Sequence, residues 1–260
     1  MIAGVYTHRE LREVFHFCFL ERLLKVADAN LFVLKGGVNL RFFFRSPRYS
    51  EDMDLDVVAG SVATLKKNGY KVLGDAALRR TLRTYGIADV EVNDPDKAKH
   101  TGTTQRFRVQ LVTVGGERLP SKVEFSRRAP AAIAGREAAQ VDSEIARRYQ
   151  RLAFRCQHYD GTAAVVQKVL ALAGRPVTQA RDVFDLDVLR RGGYTQKLEL
   201  RALVGAAQCE AATTNARALG FDDFAGQVLE FLDEEQRREL DDAGAWQEMV
   251  DHVESLLGSP

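Results

Sequence analysis

The stretch VLKGGVNLRFFFRSPRYSEDMDLDVV, from Val33 to Val58, combines a pair of glycines with a series of alternating acids. Two adjacent glycines follow a short apolar run, and three aspartates, Asp52, Asp54 and Asp56, stand further on at alternate positions. On a strand, alternate residues share one face, so the three carboxylates point one way and the apolar residues between them point into the core. Solvent or a cation must therefore offset three neighbouring negative charges.

Length and composition set the class of protein. The chain has 260 residues, of which 45% are hydrophobic and 28% charged, enough for a sizeable core in a globular protein. Its three cysteines are widely spaced and form no CxxC pair, which argues for a reducing compartment and against structural zinc. No secretory leader and no apolar run of membrane-spanning length is present, so we expect a cytoplasmic protein with no membrane association.

The first 130 residues alternate between helical and strand patterns. Thr7 and Glu10 form a capping box at the start of a helix. Strands are predicted at LFVLK, MDLDVV, IADVEV, RFRVQLVTV and KVEFS, and the last two are joined by a Gly115-Gly116 turn. A brief helix is predicted after the first glycine pair, and further helical segments between residues 61 and 85.

Beyond Pro130 the pattern is helical, with no convincing strand. Helices are predicted at Thr162 to Gly174, after the N-cap Asp160, and at Gln179 to Gly193. We therefore predict an α+β protein: a mixed β-sheet with helices in residues 1–130, followed by an α-helical C-terminal half in residues 131–260.

The alternating acids are suited to a divalent cation. Like charges this close raise one another's pKa unless a cation lies among them. Magnesium takes hard oxygen ligands and is commonly held by one or two carboxylates together with substrate phosphates. The alternative is an exposed edge strand whose acids face solvent.

The glycine pair adds a candidate anion site. Gly36 and Gly37 stand between a strand and a helix, where backbone N–H groups at a helix N-terminus bind anions. Lys35, Asn39 and Arg41 are candidate additional donors. A glycine turn followed by paired acids on the next strand is more specific than either feature alone.

Together these motifs resemble the DNA polymerase beta-like nucleotidyltransferase superfamily. Within it, KGGVNLR followed by RYSEDMDLDV is similar to the AbiEii/AbiGii toxin nucleotidyltransferases, the group that includes the MenT toxins. The resemblance places the family's metal-binding pair on Asp52 and Asp54 and its serine on Ser50. It leaves Asp56 without an assigned role.

The resemblance also implies functional residues further along the chain. The superfamily's third carboxylate falls on Glu124 in SKVEFSRR, although Glu124 is alternatively a surface acid paired with Lys122 or Arg127. The family's helical lysine followed by R-D-x-x-D-L falls on Lys168, Asp182 and Asp185, which the helical half would contribute to the site. The two aspartates are i and i+3 on one helix, so they could flank a single cationic group.

The activity implied is magnesium-dependent transfer of a nucleoside monophosphate from an NTP to an acceptor hydroxyl. Asp52, Asp54 and Glu124 would hold Mg²⁺. The phosphates would be bound by Lys35, Gly36, Gly37, Arg41, Ser50 and Lys168. The resemblance favours the 3′ end of tRNA as acceptor, with a block of translation as the toxic effect and a cognate antitoxin protein as partner.

Charge is unevenly distributed along the chain. Residues 1–221 carry a net charge of +11 and residues 222–260 a net charge of −10. The basic part and the run RRYQRLAFR, Arg147 to Arg155, suit a polyanionic acceptor such as RNA, although the run is equally a solvated helix face. The acidic segment is either a structural cap or a mimic that competes with RNA. An acceptor that is a protein or a small molecule, and a non-catalytic module that binds nucleotide or nucleic acid, remain alternatives.

Overall fold

The computed structural model describes residues 6–94, 101–127 and 134–258. Its contacts divide the chain into two compact units. The first comprises Met1–Phe43 and Tyr49–His158, and the second Phe44–Arg48 and Tyr159–Pro260. The division thus falls after His158 rather than near residue 130.

The first unit is built on a mixed sheet that has seven strands within the described residues. The strand order is β3-β4-β5-β2-β1-β7-β6. β1 runs antiparallel to β2 and parallel to β7, β2 runs parallel to β5, and β4 runs antiparallel to both β3 and β5. The strands are β1 Phe32–Lys35, β2 Asp52–Val57, β3 Ile87–Val92, β4 Thr104–Thr113, β5 Arg118–Arg127, β6 Arg136–Gln140 and β7 Arg155–Tyr159.

Helices cover the apolar face of this sheet. The predicted capping box is present, since Thr7 and Glu10 exchange hydrogen bonds at the start of the first helix. Gly69 lies against the ring of Phe107 on β4, where an added Cβ would come within 2.3 Å of the ring and clash. The helices of this unit are α1 His8–Val26, α2 Gly36–Phe43, α3 Val62–Leu73, α4 Ala76–Arg83 and α5 Ser143–Arg148.

The five strands predicted before Pro130 are confirmed, but the prediction that no strand follows it was wrong. β6 and β7 extend the sheet beyond β1. β6 has the sequence REAAQ and is almost wholly exposed, so no alternation of apolar residues indicates it. β7 does alternate, but its buried positions include Cys156 and His158 rather than the aliphatic residues typical of strands.

The basic run from Arg147 to Arg155 is not one helix face. α5 ends at Arg148, and Arg155 is the first residue of β7. Arg148 contacts the hydroxyl of Tyr49, and Arg151 forms an ion pair with Glu21 at 2.5 Å. The structure therefore gives two of these arginines internal partners, and the run does not support a continuous RNA-binding surface.

The second unit is helical, as predicted. Asp160 caps α6 by accepting a hydrogen bond from Ala163 N at 2.8 Å. The indole of Trp246 stacks on Phe224, with ring centroids 4.9 Å apart. The helices are α6 Gly161–Gly174, α7 Ala180–Arg191, α8 Leu200–Val204, α9 Ala206–Arg217, α10 Phe221–Gln227, α11 Glu234–Leu240 and α12 Ala243–Gly258.

The acidic segment after residue 221 is part of the core of this unit rather than a loose tail. α12 packs against α7 and α9, and its apolar residues are buried. Of the two interpretations of this segment, the packing favours the structural cap. Among the described residues, none of the helices has both the length and the apolar character needed to span a membrane.

Candidate active site

The three aspartates of β2 lie on one side of the strand, as the alternation predicts. The apolar residues between them, Met53, Leu55 and Val57, are buried in the core. Asp52 and Asp54 are half-buried, whereas Asp56 is buried. The strand thus directs its carboxylates away from the core that its apolar side chains join.

Two lysines from neighbouring strands neutralise two of these acids. Lys35 Nζ on β1 lies 2.5 Å from Asp56 Oδ1, and Lys122 Nζ on β5 lies 3.2 Å from Asp52 Oδ2. Sequence reasoning missed this arrangement because it depends on the cross-strand register. It also supplies a role for Asp56, which holds Lys35.

Asp54 is different from its neighbours. Among the described residues, its side chain has no hydrogen-bond or ion-pair partner. Burial raises the pKa of Asp54, and the negative charges of Glu124 and Asp52 act in the same direction, while Lys122 and Lys35 oppose them. A half-buried carboxylate in this environment is poised to bind a cation.

Glu124 lies directly opposite Asp54 in the β2–β5 register. Its Oε2 accepts a hydrogen bond from Arg106 Nε at 2.6 Å and lies 3.9 Å from Lys122 Nζ. Burial alone would raise the pKa of Glu124, but Arg106 and Lys122 hold it below its usual value. The predicted third acid is therefore adjacent to the aspartates, and the expected pairing with Lys122 accompanies a closer one with Arg106.

The helix that begins at Gly36 brings the backbone close to Asp54. Gly36 has φ = 70°, in the left-handed region, and a Cβ added there would lie 3.4 Å from Asp54 Oδ2. A side chain at this position would be strained and would crowd the carboxylate. The glycine thus allows the start of α2 to lie beside Asp54.

Ser50 and Arg41 have local partners. Ser50 Oγ donates to Asp52 O at 2.9 Å and so fixes the turn that precedes β2. Arg41 forms a 2.5 Å ion pair with Glu13 and lies 4.2 Å above the ring of Tyr49. This half-buried arrangement argues against the predicted contact of Arg41 with phosphate.

Asn39, the other candidate donor on α2, is also engaged elsewhere. Its side chain is buried, and its Oδ1 lies 3.0 Å from His158 Nδ1. Arg41 and Asn39 are thus both engaged in contacts of their own, and the backbone N–H groups at the start of α2 remain the candidate anion donors of this helix.

In the second unit, Lys168 lies between Asp182 and Asp185, as the i, i+3 spacing suggested. Its Nζ is 2.9 Å from Asp182 Oδ1 and 2.5 Å from Asp185 Oδ2. Both aspartates are fully buried on α7. Each aspartate thus holds the same ammonium, so neither is distinguished from the other by its contact with Lys168.

Two arginines that sequence reasoning missed complete this cluster. Arg48 contacts both carboxylate oxygens of Asp185 at 3.1 to 3.2 Å, and Arg175 Nε lies 2.7 Å from Asp182 Oδ2. Burial opposes ionisation of Asp185, but Arg48 and Lys168 hold its pKa below the usual value. Three cations serve two carboxylates, which leaves one excess positive charge. Arg48 is detectable in the sequence as the arginine of the RYSEDMD motif.

The carboxylates of the first unit suit a divalent cation by chemistry, although they are not closed around one. Among the described residues, no group of three or more His, Cys, Asp or Glu side chains is arranged to hold a metal ion. Asp52, Asp54 and Glu124 nevertheless supply the hard oxygen atoms that Mg²⁺ prefers. Lys122 Nζ lies between Asp52 and Glu124, and Asp54 is the acid with no such partner.

Solved structures share this fold. JHP933 from Helicobacter pylori is 17% identical, with a TM-score of 0.56 over 98% of this chain and 95% of that one. A putative nucleotidyltransferase from H. pylori is 19% identical, with a TM-score of 0.54 over 95% and 94% of the two chains. The nucleotidyltransferase toxin MenT4 from Mycobacterium tuberculosis H37Rv is 18% identical, with a TM-score of 0.60 over 97% and 85%.

The assignment of this chain to a family rests on the match to a family model. None of the proteins with curated annotation matches this sequence. The model of the nucleotidyl transferase AbiEii toxin, type IV toxin–antitoxin system, matches residues 18–259, which include every predicted site residue. The chain therefore belongs to the AbiEii toxin family and is a nucleotidyltransferase.

Proposed function

We propose that the protein transfers a nucleoside monophosphate from an NTP to the 3′ end of an RNA acceptor, with tRNA as the acceptor that blocks translation. The reaction would require Mg²⁺. As a member of a type IV toxin–antitoxin family, the protein would be neutralised by a cognate antitoxin protein.

The observation that carries the proposal is the position of Asp54. It is flanked by Asp52 on its own strand and by Glu124 on β5, and it lies against the glycine that begins α2. Among the described residues, this carboxylate has no partner. An exposed edge strand would leave such an acid in water, but β2 is flanked by β5 and β1 inside the sheet.

Asp52, Asp54 and Glu124 would hold the metal. When bound, Mg²⁺ in such a site offsets charge on the phosphates and lowers the pKa of the acceptor hydroxyl. Because Lys122 already neutralises Asp52, this lysine and a divalent cation would compete for the same carboxylate. Arg106 keeps Glu124 ionised, as a metal ligand must be.

The phosphates of the NTP would be bound by backbone and side-chain donors of this chain. The N–H groups of Gly36 and Gly37 at the start of α2 are suited to an anion. In the second unit, Lys168 would bind the triphosphate, because its cluster has one cation more than its carboxylates need. Preorganised donors of this kind account for much of the catalysis in phosphoryl transfer.

A nucleic-acid acceptor is supported by charge. The residues of the first unit include 25 Lys and Arg against 18 Asp and Glu, whereas those of the second include 12 against 18. The unit that carries the catalytic acids is therefore the one that attracts a polyanion.

The test is to incubate the protein with each α-labelled NTP, Mg²⁺ and total RNA, and then to resolve RNA, protein and small molecules. We expect label at the 3′ end of RNA, in the tRNA fraction, and none when Mg²⁺ is chelated. Label in protein or in a small molecule alone would contradict the RNA acceptor. Label in no fraction, with any divalent metal, would contradict transfer itself.

A further inference from the structure

The exposed face of the sheet continues from the catalytic acids across β5 to β4. In the register of β2, β5 and β4, Asp52 pairs with Lys122, and Lys122 pairs with Arg108. One row further along, Asp54 pairs with Glu124 and Glu124 with Arg106. Cross-strand neighbours share a face, so both arginines project on the side of the acids.

The other face of these strands is not accessible. Phe107 and Val109, which alternate with the two arginines on β4, are buried, and Phe107 lies against α3. A ligand that reaches the acids along the sheet would therefore meet the side of β4 that carries Arg106 and Arg108.

Arg108 differs from the other cations of this face. Lys122, Arg106 and Arg118 each form an ion pair, with Asp52, Glu124 and Glu91 respectively. Within the described part of the chain, the guanidinium of Arg108 has no hydrogen-bond or ion-pair partner, and its side chain is exposed.

The backbone of Arg108 is nevertheless held firmly. Its N–H donates to Asn93 Oδ1 at 3.0 Å, and its carbonyl accepts from Asn93 N at 3.0 Å. The backbone position from which this uncompensated cation projects is thus fixed, on the central strand of the β3-β4-β5 sheet segment.

We propose that Arg108 binds a backbone phosphate of the acceptor RNA close to its reacting 3′ end. β4 lies two strand spacings from β2, which is about 10 Å. An RNA strand whose 3′ hydroxyl lies at the carboxylates of β2 would place one of its preceding phosphates within reach of an arginine on β4. The planar fork of arginine matches phosphate oxygens, and such contacts orient a nucleic acid without reading its sequence.

The inference rests on the proposed function for the class of acceptor, so its test separates RNA binding from transfer. Binding of a single-stranded RNA oligonucleotide to the full-length protein is measured by fluorescence anisotropy, without NTP or divalent metal, over a range of salt concentrations. Arg108→Ala is compared with Arg80→Ala, which removes an exposed arginine on α4 that has no partner among the described residues. Arg108→Lys tests partial rescue by charge alone.

We expect Arg108→Ala to weaken RNA binding several-fold at low salt and to reduce the slope of log Kd against log salt by about 0.7, the value for one phosphate contact on a single strand. Arg80→Ala should bind as the wild type does, and Arg108→Lys should lie between. In the transfer assay, Arg108→Ala should raise the KM for RNA and leave the KM for NTP and kcat unchanged.

Each alternative result overturns the inference. Equal losses of RNA affinity in Arg108→Ala and Arg80→Ala would mean that RNA binding depends on the overall positive charge and not on the position of Arg108. Unchanged binding in Arg108→Ala, or wild-type protein that binds no RNA, would remove the site. A raised KM for NTP alone would assign Arg108 to the triphosphate instead. If Arg108-dependent binding is found but no label is transferred, the site stands and the proposed function fails.

Discussion

Lys122 Nζ lies 3.2 Å from Asp52 Oδ2 and therefore neutralises, from within the chain, one of the two acids assigned to the metal. Glu124 Oε2 lies 3.9 Å from the same ammonium. The side chain of Lys122 is a quarter exposed, so it can move away without disturbing the core. An internal cation and a divalent metal are thus alternatives for the same carboxylates.

Lys122→Gln should strengthen the response to Mg²⁺. Without the ammonium, Asp52 and Glu124 repel each other and Asp54 more strongly, and the metal has no competitor. We expect Mg²⁺ to raise the melting temperature more in this variant than in the wild type. The matched control is Lys67→Gln, which removes an exposed charge on α3. If Mg²⁺ raises the melting temperature of Lys122→Gln no more than that of the control, Lys122 and the metal do not compete for these carboxylates.

Lys168→Met should abolish activity while preserving the fold. With Lys168 removed, Asp182 keeps Arg175 and Asp185 keeps Arg48, so the cluster becomes neutral rather than broken. We expect a melting temperature within a few degrees of the wild type and a rate of transfer lower by about 100-fold or more.

Asp185→Asn is the contrast, because it leaves Arg48 and Lys168 facing a neutral amide and should lower stability by roughly 3 kcal/mol. Thermal melts and label transfer are measured on both variants. Full transfer by Lys168→Met would show that the lysine only stabilises the second unit.

His16 should make the free energy of unfolding decrease as the pH falls below the ordinary pKa of histidine. Its Nε2 lies 3.0 Å from Ser121 Oγ, which itself donates to Glu51 O at 2.6 Å, directly before Asp52. Burial, assisted by Arg12, lowers the pKa of His16 from 6.5 to about 3. The folded protein therefore keeps the imidazole neutral, while the unfolded chain takes up a proton as the pH falls below 6.5.

The free energy of unfolding should thus decrease by up to roughly 1.4 kcal/mol per pH unit between about pH 6 and pH 4. Urea unfolding at pH 7.5, 6 and 5 measures it. His16→Gln removes this titrating group, so its stability should depend less on pH between 7.5 and 5 than that of the wild type. If the stability of His16→Gln depends on pH as that of the wild type does, a group other than His16 causes the pH dependence.

The acidic C-terminal segment should behave as a structural element. Trp246 is buried against Phe224, so Trp246→Ala should lower the free energy of unfolding by about 3 to 5 kcal/mol. Leu203→Ala, at a half-exposed position on α8, should change it by less than about 0.5 kcal/mol. Removal of residues 222–260 should make the protein insoluble. A truncated protein that remains soluble and binds RNA more tightly would instead identify the segment as an RNA mimic.

The sequence is most informative where structure is local. The capping box at Thr7, the alternation in β2 and the N-cap of α6 depend on residues a few positions apart, and each was predicted correctly. β6 was missed because an exposed strand of REAAQ has no apolar period. Strand formation there depends on pairing with the rest of the sheet, which no local pattern encodes.

In the candidate site, too, the residues themselves could be predicted from sequence, whereas their long-range contacts could not. Asp52 and Asp54 could be chosen from the period of a strand, and Glu124 and Lys168 from the resemblance to the family's motifs. Their partners could not. The pairing of Lys122 with Asp52 requires the parallel register of two strands far apart in the chain, and that of Arg48 with Asp185 joins residues in distant segments.

If Asp54 belongs to the catalytic centre, Asp54→Asn should lose the transfer of labelled NMP to RNA. Because burial already disfavours its ionised form, the amide should not lower the melting temperature, so loss of activity would not reflect unfolding. Glu144→Gln, at an exposed acid on α5, serves as the control. We predict that Asp54→Asn reduces transfer by at least about 100-fold with the fold intact, while the control is fully active. Transfer by folded Asp54→Asn at the wild-type rate would exclude Asp54 from the catalytic centre.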